Sequence, residues 1–168
     1  MTETVLIVGI GNELLGDEGV GVHVARSLAA CDGGLPDHVH VTEAGTSLFD
    51  VVIEMSRYSK VYIVDAMLAG QVPGSLYRLD GATELAELST RAAPLSLHEW
   101  GVADTLRAAT ALGLQPHCLT LIGVEPANVA PGTELSPEVK RAAVRIVSLL
   151  LEELGVATAP AATPTAGS

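Results

Sequence analysis

Five residues of this chain have types and positions suited to chemistry: Asp17, Glu18, Glu43, Asp65 and His98. Each acid follows an apolar run. Asp17 and Glu18 come after Val5-Leu6-Ile7-Val8 and a glycine-broken corner, Glu43 follows Val39 and Val41, and Asp65 ends Val61-Tyr62-Ile63-Val64. Glu18, Asp65 and a histidine would form an oxygen-and-nitrogen donor set with open positions, suited to zinc or nickel and able to polarise a carbonyl. His98, in Ser96-Leu97-His98-Glu99-Trp100-Gly101, stands between a loop and a helix and is the histidine best placed for it. Plainer readings stay open from spacing alone. Asp17 fits a helix cap, Glu18 a first-turn acid favoured by the helix dipole, and His98 a satisfied structural histidine. Asp65 resists such a reading, because a carboxylate ending an apolar strand is expensive to bury without partners.

The elements that must position these residues follow from hydrophobic periodicity. Residues 4–10 predict a first strand buried on both faces. The helix after it runs from Asp17 to about residue 30, with Val20, Val24 and Leu28 inward. Residues 38–44 predict a second strand, with His38 and His40 toward solvent between valines. His23 and His117 read as structural. A helix over 48–58, with Leu48, Val51, Val52 and Met55 inward, precedes a third strand at 60–66. Val72-Pro73-Gly74 closes a loop before a short edge strand at 75–79. One or two helical turns are expected over 81–89, and Pro94 marks 90–97 as loop. A helix opening at His98 and running to about 112 faces Val102, Leu106 and Ala109 inward. A last strand spans 117–124. Residues 125–134 are loop, and Ser136-Pro137-Glu138 starts a helix to 154 with an N-cap hydroxyl, a first-turn proline and an acid.

This alternation predicts an α/β three-layer sandwich: a mostly parallel twisted sheet of about five strands with helices on both faces. Right-handed crossovers would bring Asp17, Glu18, Glu43 and Asp65 to one edge, at the carboxyl ends of the strands. A single domain is expected over 1–154, and 155–168, rich in Ala, Thr and Pro, reads as a flexible tail.

Composition narrows the function. The 168 residues carry a formal net charge of −11, with nine Lys plus Arg against twenty Asp plus Glu. No basic face for nucleic acid or anionic lipid is expected. No apolar run approaches the ~20 residues of a membrane span, and Met1-Thr2-Glu3 lacks a basic leader. Cys31 and Cys118 stand alone and read as small core hydrophobes in a reduced, cytoplasmic protein. A dinucleotide fingerprint fails: Gly9-Ile10-Gly11 lacks its third glycine, and Asp17-Glu18 would repel phosphate at the helix start. Neither cysteine stands at an acidic corner, and Ser47 and Ser96 have no evident His–Asp relay, which argues against a serine or cysteine nucleophile.

The motifs taken together resemble the hydrogenase maturation endopeptidases, which process the C-terminus of the large subunit of nickel-iron hydrogenases. The resemblance rests on Gly9-Ile10-Gly11-Asn12, Leu15-Gly16-Asp17-Glu18-Gly19-Val20-Gly21, Ala44-Gly45-Thr46-Ser47 and Val64-Asp65-Ala66 with Pro73-Gly74. It continues through Ser96-Leu97-His98-Glu99-Trp100-Gly101, Ile122-Gly123-Val124-Glu125-Pro126 and Leu135-Ser136, in order over about residues 5–154. It implies that Glu18, Asp65 and His98 are the metal-binding and catalytic triad of a peptidase classed as aspartic-type. It also implies that the nickel arrives in the precursor substrate, although zinc or cadmium would suit the same donors in isolated protein. One departure is visible: Glu43-Ala44 stands where the family often has Asp followed by Gly. A nickel checkpoint that binds the same precursor without cutting is the alternative. The glycines Gly11, Gly16, Gly19, Gly21 and Gly45 are expected to allow close backbone approach or turns, Asn12 to hold the first corner by side-chain hydrogen bonds, and Trp100 to anchor a helix on the sheet.

Overall fold

The apolar runs become the strands of one sheet. The computed structural model describes residues 3–81, 95–96 and 102–156. The strands are β1 (Val5–Ile10), β2 (Val39–Gly45), β3 (Lys60–Leu68), β4 (Leu76–Asp80), β5 (Leu95–Ser96) and β6 (Cys118–Val124). The helices are α1 (Val20–Ala29), α2 (Val52–Met55), α3 (Val102–Ala111) and α4 (Pro137–Glu153), with 3-10 turns at Gly16–Gly19 and Leu48–Val51. Five strands lie in the order β2-β1-β3-β6-β4, and β5 pairs with the end of β3. The pairings β1–β2, β1–β3 and β3–β6 are parallel, whereas β4 runs antiparallel to β6 as an edge strand.

Strand alternation divides the core in two. Val5 and Ile7 of β1 and Tyr62 and Val64 of β3 face one layer, where Val20, Val24 and Leu28 of α1 meet Val139, Ile146 and Leu150 of α4. Leu6, Val8, Val61 and Ile63 face the other layer, against Leu48, Val51, Met55, Val102 and Leu106. This is the predicted three-layer sandwich. The residues expected on the inner face of the first helix, Val20, Val24 and Leu28, and Val102, Leu106 and Ala109 of α3, are buried. Ser136 caps α4, accepting a hydrogen bond from the Val139 N–H at 3.4 Å.

Several expectations shift. The helix over 48–58 is a 3-10 turn followed by the single turn of α2, and its end coincides with the Ser56 hydroxyl donating back to the Ile53 carbonyl. The stretch 90–97 supplies β5, whose Leu95 and Ser96 pair antiparallel with Leu68 and Met67. Cys31 packs half-buried against the α1–α4 core, but Cys118 is exposed, because β6 begins there at the rim of the sheet and the buried positions start one residue later. Gly155 and Val156 remain attached to α4, the Val156 N–H donating to the Leu151 carbonyl. The turns expected over 81–89, the opening of the helix at His98, Trp100 and the tail from 157 lie outside the described residues.

The junction of β1 and α1 is closer than any side chain allows. A Cβ on Gly21 would stand 2.2 Å from the carbonyl oxygens of both Ile10 and Val64. One on Gly11 would stand 2.2 Å from the Glu18 carbonyl, and one on Gly9 the same distance from the Gly21 carbonyl. The start of α1 therefore lies directly on the ends of β1 and β3. Gly113, by contrast, has φ +69° and open space around it. In urea unfolding, Gly21→Ala is expected to cost more than about 3 kcal/mol because strand and helix must separate, and Gly113→Ala about 1 kcal/mol, the cost of a left-handed residue alone. Equal losses at the two positions would contradict the close-contact account.

Candidate functional site

The carboxyl ends of β1, β3 and β6 form one edge. The 3-10 turn Gly16–Gly19 packs against β3 there, and places Glu18, only 8% exposed, at the rim. Asp65 is fully buried on β3. It falls at every-second-residue spacing with Val61, Ile63 and Met67, which belong to the core shared with α2 and α3, so its side chain takes that face. In register it sits beside Gly123 of β6, where a Cβ would stand 2.4 Å from the Met67 sulfur. The glycine thus makes room for the Met67 side chain at the strand end.

Two of the four acids predicted at this edge are engaged elsewhere. Asp17 is not a helix cap. α1 begins after Gly19 with no side-chain cap, and the Asp17 carboxylate, fully buried, accepts backbone N–H bonds from Ala127 and Asn128 at 2.8 Å each and from Ser136 at 2.7 Å. Its partners lie more than a hundred residues away in sequence, so local capping rules cannot reveal them. Glu43, at the end of β2, accepts two bonds from the Arg26 guanidinium at 3.0 and 2.9 Å. Arg26 also pairs with Glu13. Glu43 is therefore tied by an exposed arginine to the outer side of α1, and its longer arm is spent in that fork.

Glu18 and Asp65 are the other two of these four acids, both buried. His98 lies outside the described residues, and among the described residues no three His, Cys, Asp or Glu side chains stand close enough to hold a metal. The chain near it is placed, however: Ser96, two residues before His98 in sequence, pairs with Met67, two residues after Asp65. Of the other histidines, His40 and His117 are exposed. His40 leans edge-on against Tyr58 with ring centroids 5.5 Å apart. Asn12 holds the corner as expected, its side-chain oxygen accepting the Leu14 N–H at 3.1 Å.

The sequence reading passed over Glu125. It follows β6 directly and is 3% exposed. Its carboxylate accepts the N–H groups of Ala69 at 2.8 Å and Gly70 at 3.1 Å and the Tyr77 hydroxyl, and so holds the segment leaving Asp65's strand. Burial works to raise its pKa, but the hydrogen bonds from Tyr77 and from the backbone of Ala69, Gln71 and Gly70 together hold it below the ordinary carboxylate value. The same signal that singled out Asp65, an acid closing an apolar strand, was present at Glu125.

Comparison with known proteins shows the family and the fold. The family model for hydrogenase maturation proteases (HycI) matches residues 22–153. The hydrogenase 2 maturation protease of Escherichia coli K12 is 32% identical over 160 residues, covering 93% of this chain and 95% of its own. The solved structure of the hydrogenase maturating endopeptidase HybD from Escherichia coli superposes with a TM-score of 0.77 at 30% identity, covering 90% of this chain and 92% of that one. The nickel-iron hydrogenase maturation protease HybD of Thermococcus kodakarensis gives a TM-score of 0.75 at 30% identity, covering 90% and 99%.

Glu125 makes a pH prediction. Its folded-state pKa is lowered, so its contribution is complete above the ordinary glutamate value of about 4.3. That contribution is lost as pH falls through the lowered folded-state value. Glu125→Gln should reduce stability at neutral pH by about 1–3 kcal/mol. Its urea midpoint should then fall less than the wild-type midpoint on acidification from neutral pH to below the glutamate range. Parallel acid profiles for the two proteins would contradict this.

Proposed function

Since the chain belongs to the hydrogenase maturation proteases, we propose that it is the endopeptidase that removes the C-terminal extension of a nickel-loaded nickel-iron hydrogenase large-subunit precursor. In this reading Glu18, Asp65 and His98 engage the nickel that the substrate carries. The observation that supports it most is that two buried carboxylates, Glu18 and Asp65, stand at one edge of the sheet where the parallel strands end. Two carboxylates and an imidazole suit a borderline divalent ion such as nickel, and zinc or cadmium would suit the same donors in isolated protein. Chain connectivity is compatible with the third arm: the two steps of chain from Ser96 to His98 span at most about 7 Å.

The reaction is peptide hydrolysis. Glu18, Asp65 and His98 would hold the precursor's nickel, and the ion would polarise the scissile carbonyl. Asp65, recessed on β3, takes a proton from the attacking water as general base. The hydroxyl adds to the carbonyl carbon, the C–N bond breaks, and the proton passes to the leaving amine. The product is the shortened large subunit and a free C-terminal peptide. Recognition and chemistry are thereby joined: a precursor without metal offers the triad nothing to hold. The net charge of −11 offers no basic face to nucleic acid, and among the described residues no helix is long and apolar enough to cross a membrane. Exposed Cys118 and half-buried Cys31 have no part in it.

Mass spectrometry of nickel-loaded precursor incubated with each purified variant tests the assignment. Glu18→Gln, Asp65→Asn and His98→Ala should each slow release of the C-terminal peptide by about 100-fold or more, whereas the double replacement Cys31→Ser, Cys118→Ser should cleave at the wild-type rate. Wild-type cleavage by any of the three triad variants would remove that residue from the site. Tight binding of precursor by the wild-type protein with no loss of mass would favour the checkpoint.

A further inference from the structure

Asp17 is wholly buried, and the proposed chemistry does not use it. Its two oxygens meet three backbone donors: Oδ2 accepts from Ala127 and Asn128, and Oδ1 from Ser136. Main-chain bonds surround this clamp. The Asp17 N–H donates to the Asn128 carbonyl at 2.9 Å, the Gly16 N–H to Gly132 at 2.7 Å, and the Gly132 N–H back to Leu14 at 2.9 Å. At Gly16, with φ +56°, a Cβ would stand 2.8 Å from the Asn128 carbonyl. The first corner and the segment between β6 and α4 are thus laced into one body, with Glu18 as the next residue along the chain.

No side chain caps either the 3-10 turn that carries Glu18 or the helix after it. The turn is held by its contact with the strand ends beneath and by the Asp17 clamp at its side. We propose that Asp17 is a positioning residue for the proteolytic reaction: by locking the corner onto residues 127–136, it fixes the backbone of Glu18 and so the place of the Glu18 carboxylate. This rests on the reading of Glu18 as a site residue. Only a carboxylate of this length offers two acceptor oxygens to donors on both sides. Asparagine matches the shape but turns an N–H2 toward one of the three N–H groups, leaving that donor unmatched.

A merely structural clamp and a positioning clamp differ in what they couple to. The test measures kcat and KM for peptide release from nickel-loaded precursor by Asp17→Asn, Glu18→Gln and the double variant, below the melting point seen by circular dichroism. Positioning predicts that Asp17→Asn lowers kcat by about 10-fold or more with little change in KM, since an interaction used in the transition state is lost. It also predicts a double variant about as slow as Glu18→Gln alone, because residues acting as a unit are not additive. Should Asp17→Asn fail to fold, Asn128→Gly serves instead. It removes the bond from the Ala130 N–H to the Asn128 side chain, 2.9 Å in length, loosening the clamped segment from the opposite side. The same selective loss of kcat is expected. Wild-type kcat in a folded Asp17→Asn or, failing that, in Asn128→Gly would overturn the proposal, as would losses that simply multiply in the double variant. If Glu18→Gln is itself fully active, the site reading falls and this inference with it. If Glu18→Gln is inactive while Asp17→Asn is fully active, the positioning role alone is overturned.

Discussion

The fold depends on how closely its first helix sits on its sheet. With carbonyl oxygens of Ile10 and Val64 only 2.2 Å from where a Gly21 Cβ would stand, the start of α1 has no room for any side chain at that point. Interiors are packed densely enough that such a contact is all or nothing: a methyl group moves the helix or the strand. The contact sets the height of the 3-10 turn above β1 and β3, and therefore where Glu18 stands relative to the end of Asp65's strand. The glycines of the motif, which in another protein would make way for a nucleotide phosphate, here make way for the protein's own backbone.

The acids near the strand ends are held in different ways. Asp17 is satisfied by three backbone N–H groups, and Glu125 by two together with the Tyr77 hydroxyl. Each carboxylate holds a segment that borders the strand ends: residues 127–136 on one side, 69–70 on the other. Glu43 is drawn outward by Arg26. Glu18 and Asp65, buried at the same edge, are the two that the family resemblance assigns to the substrate's metal. Hydrogen bonds to charged groups are among the stronger single contributions to stability. Two such clamps flanking the edge give a rigid frame for a site built largely on short turns and strand termini.

Much of this was legible in the sequence. β1, β3 and β6 announce themselves as largely apolar runs rich in Val, Ile and Leu, and the inward faces of α1, α3 and α4 follow the helical period because burial on one side leaves no other pattern. The edge position of β4 was readable from its polar interruptions. What escaped the sequence depends on partners remote along the chain or on pieces too short to have a period. β5 is two residues long. Asp17 has a good local explanation as a cap, and only tertiary structure brings Ala127, Asn128 and Ser136 to it. Strand order alone puts Glu43 at the site edge and does not show that Arg26, from the last turn of α1, reaches it first. The exposure of Cys118 turns on where β6 begins, a matter of one residue at an element boundary.

The central claim is that this edge reads the metal its substrate carries and cuts the chain that carries it. Incubating the purified protein with the same hydrogenase large-subunit precursor, once loaded with nickel and once free of metal, and weighing both products by mass spectrometry, tests this directly. The account predicts loss of the C-terminal peptide from the loaded precursor alone. Equal cleavage of both forms, or no cleavage of the loaded one, would contradict it.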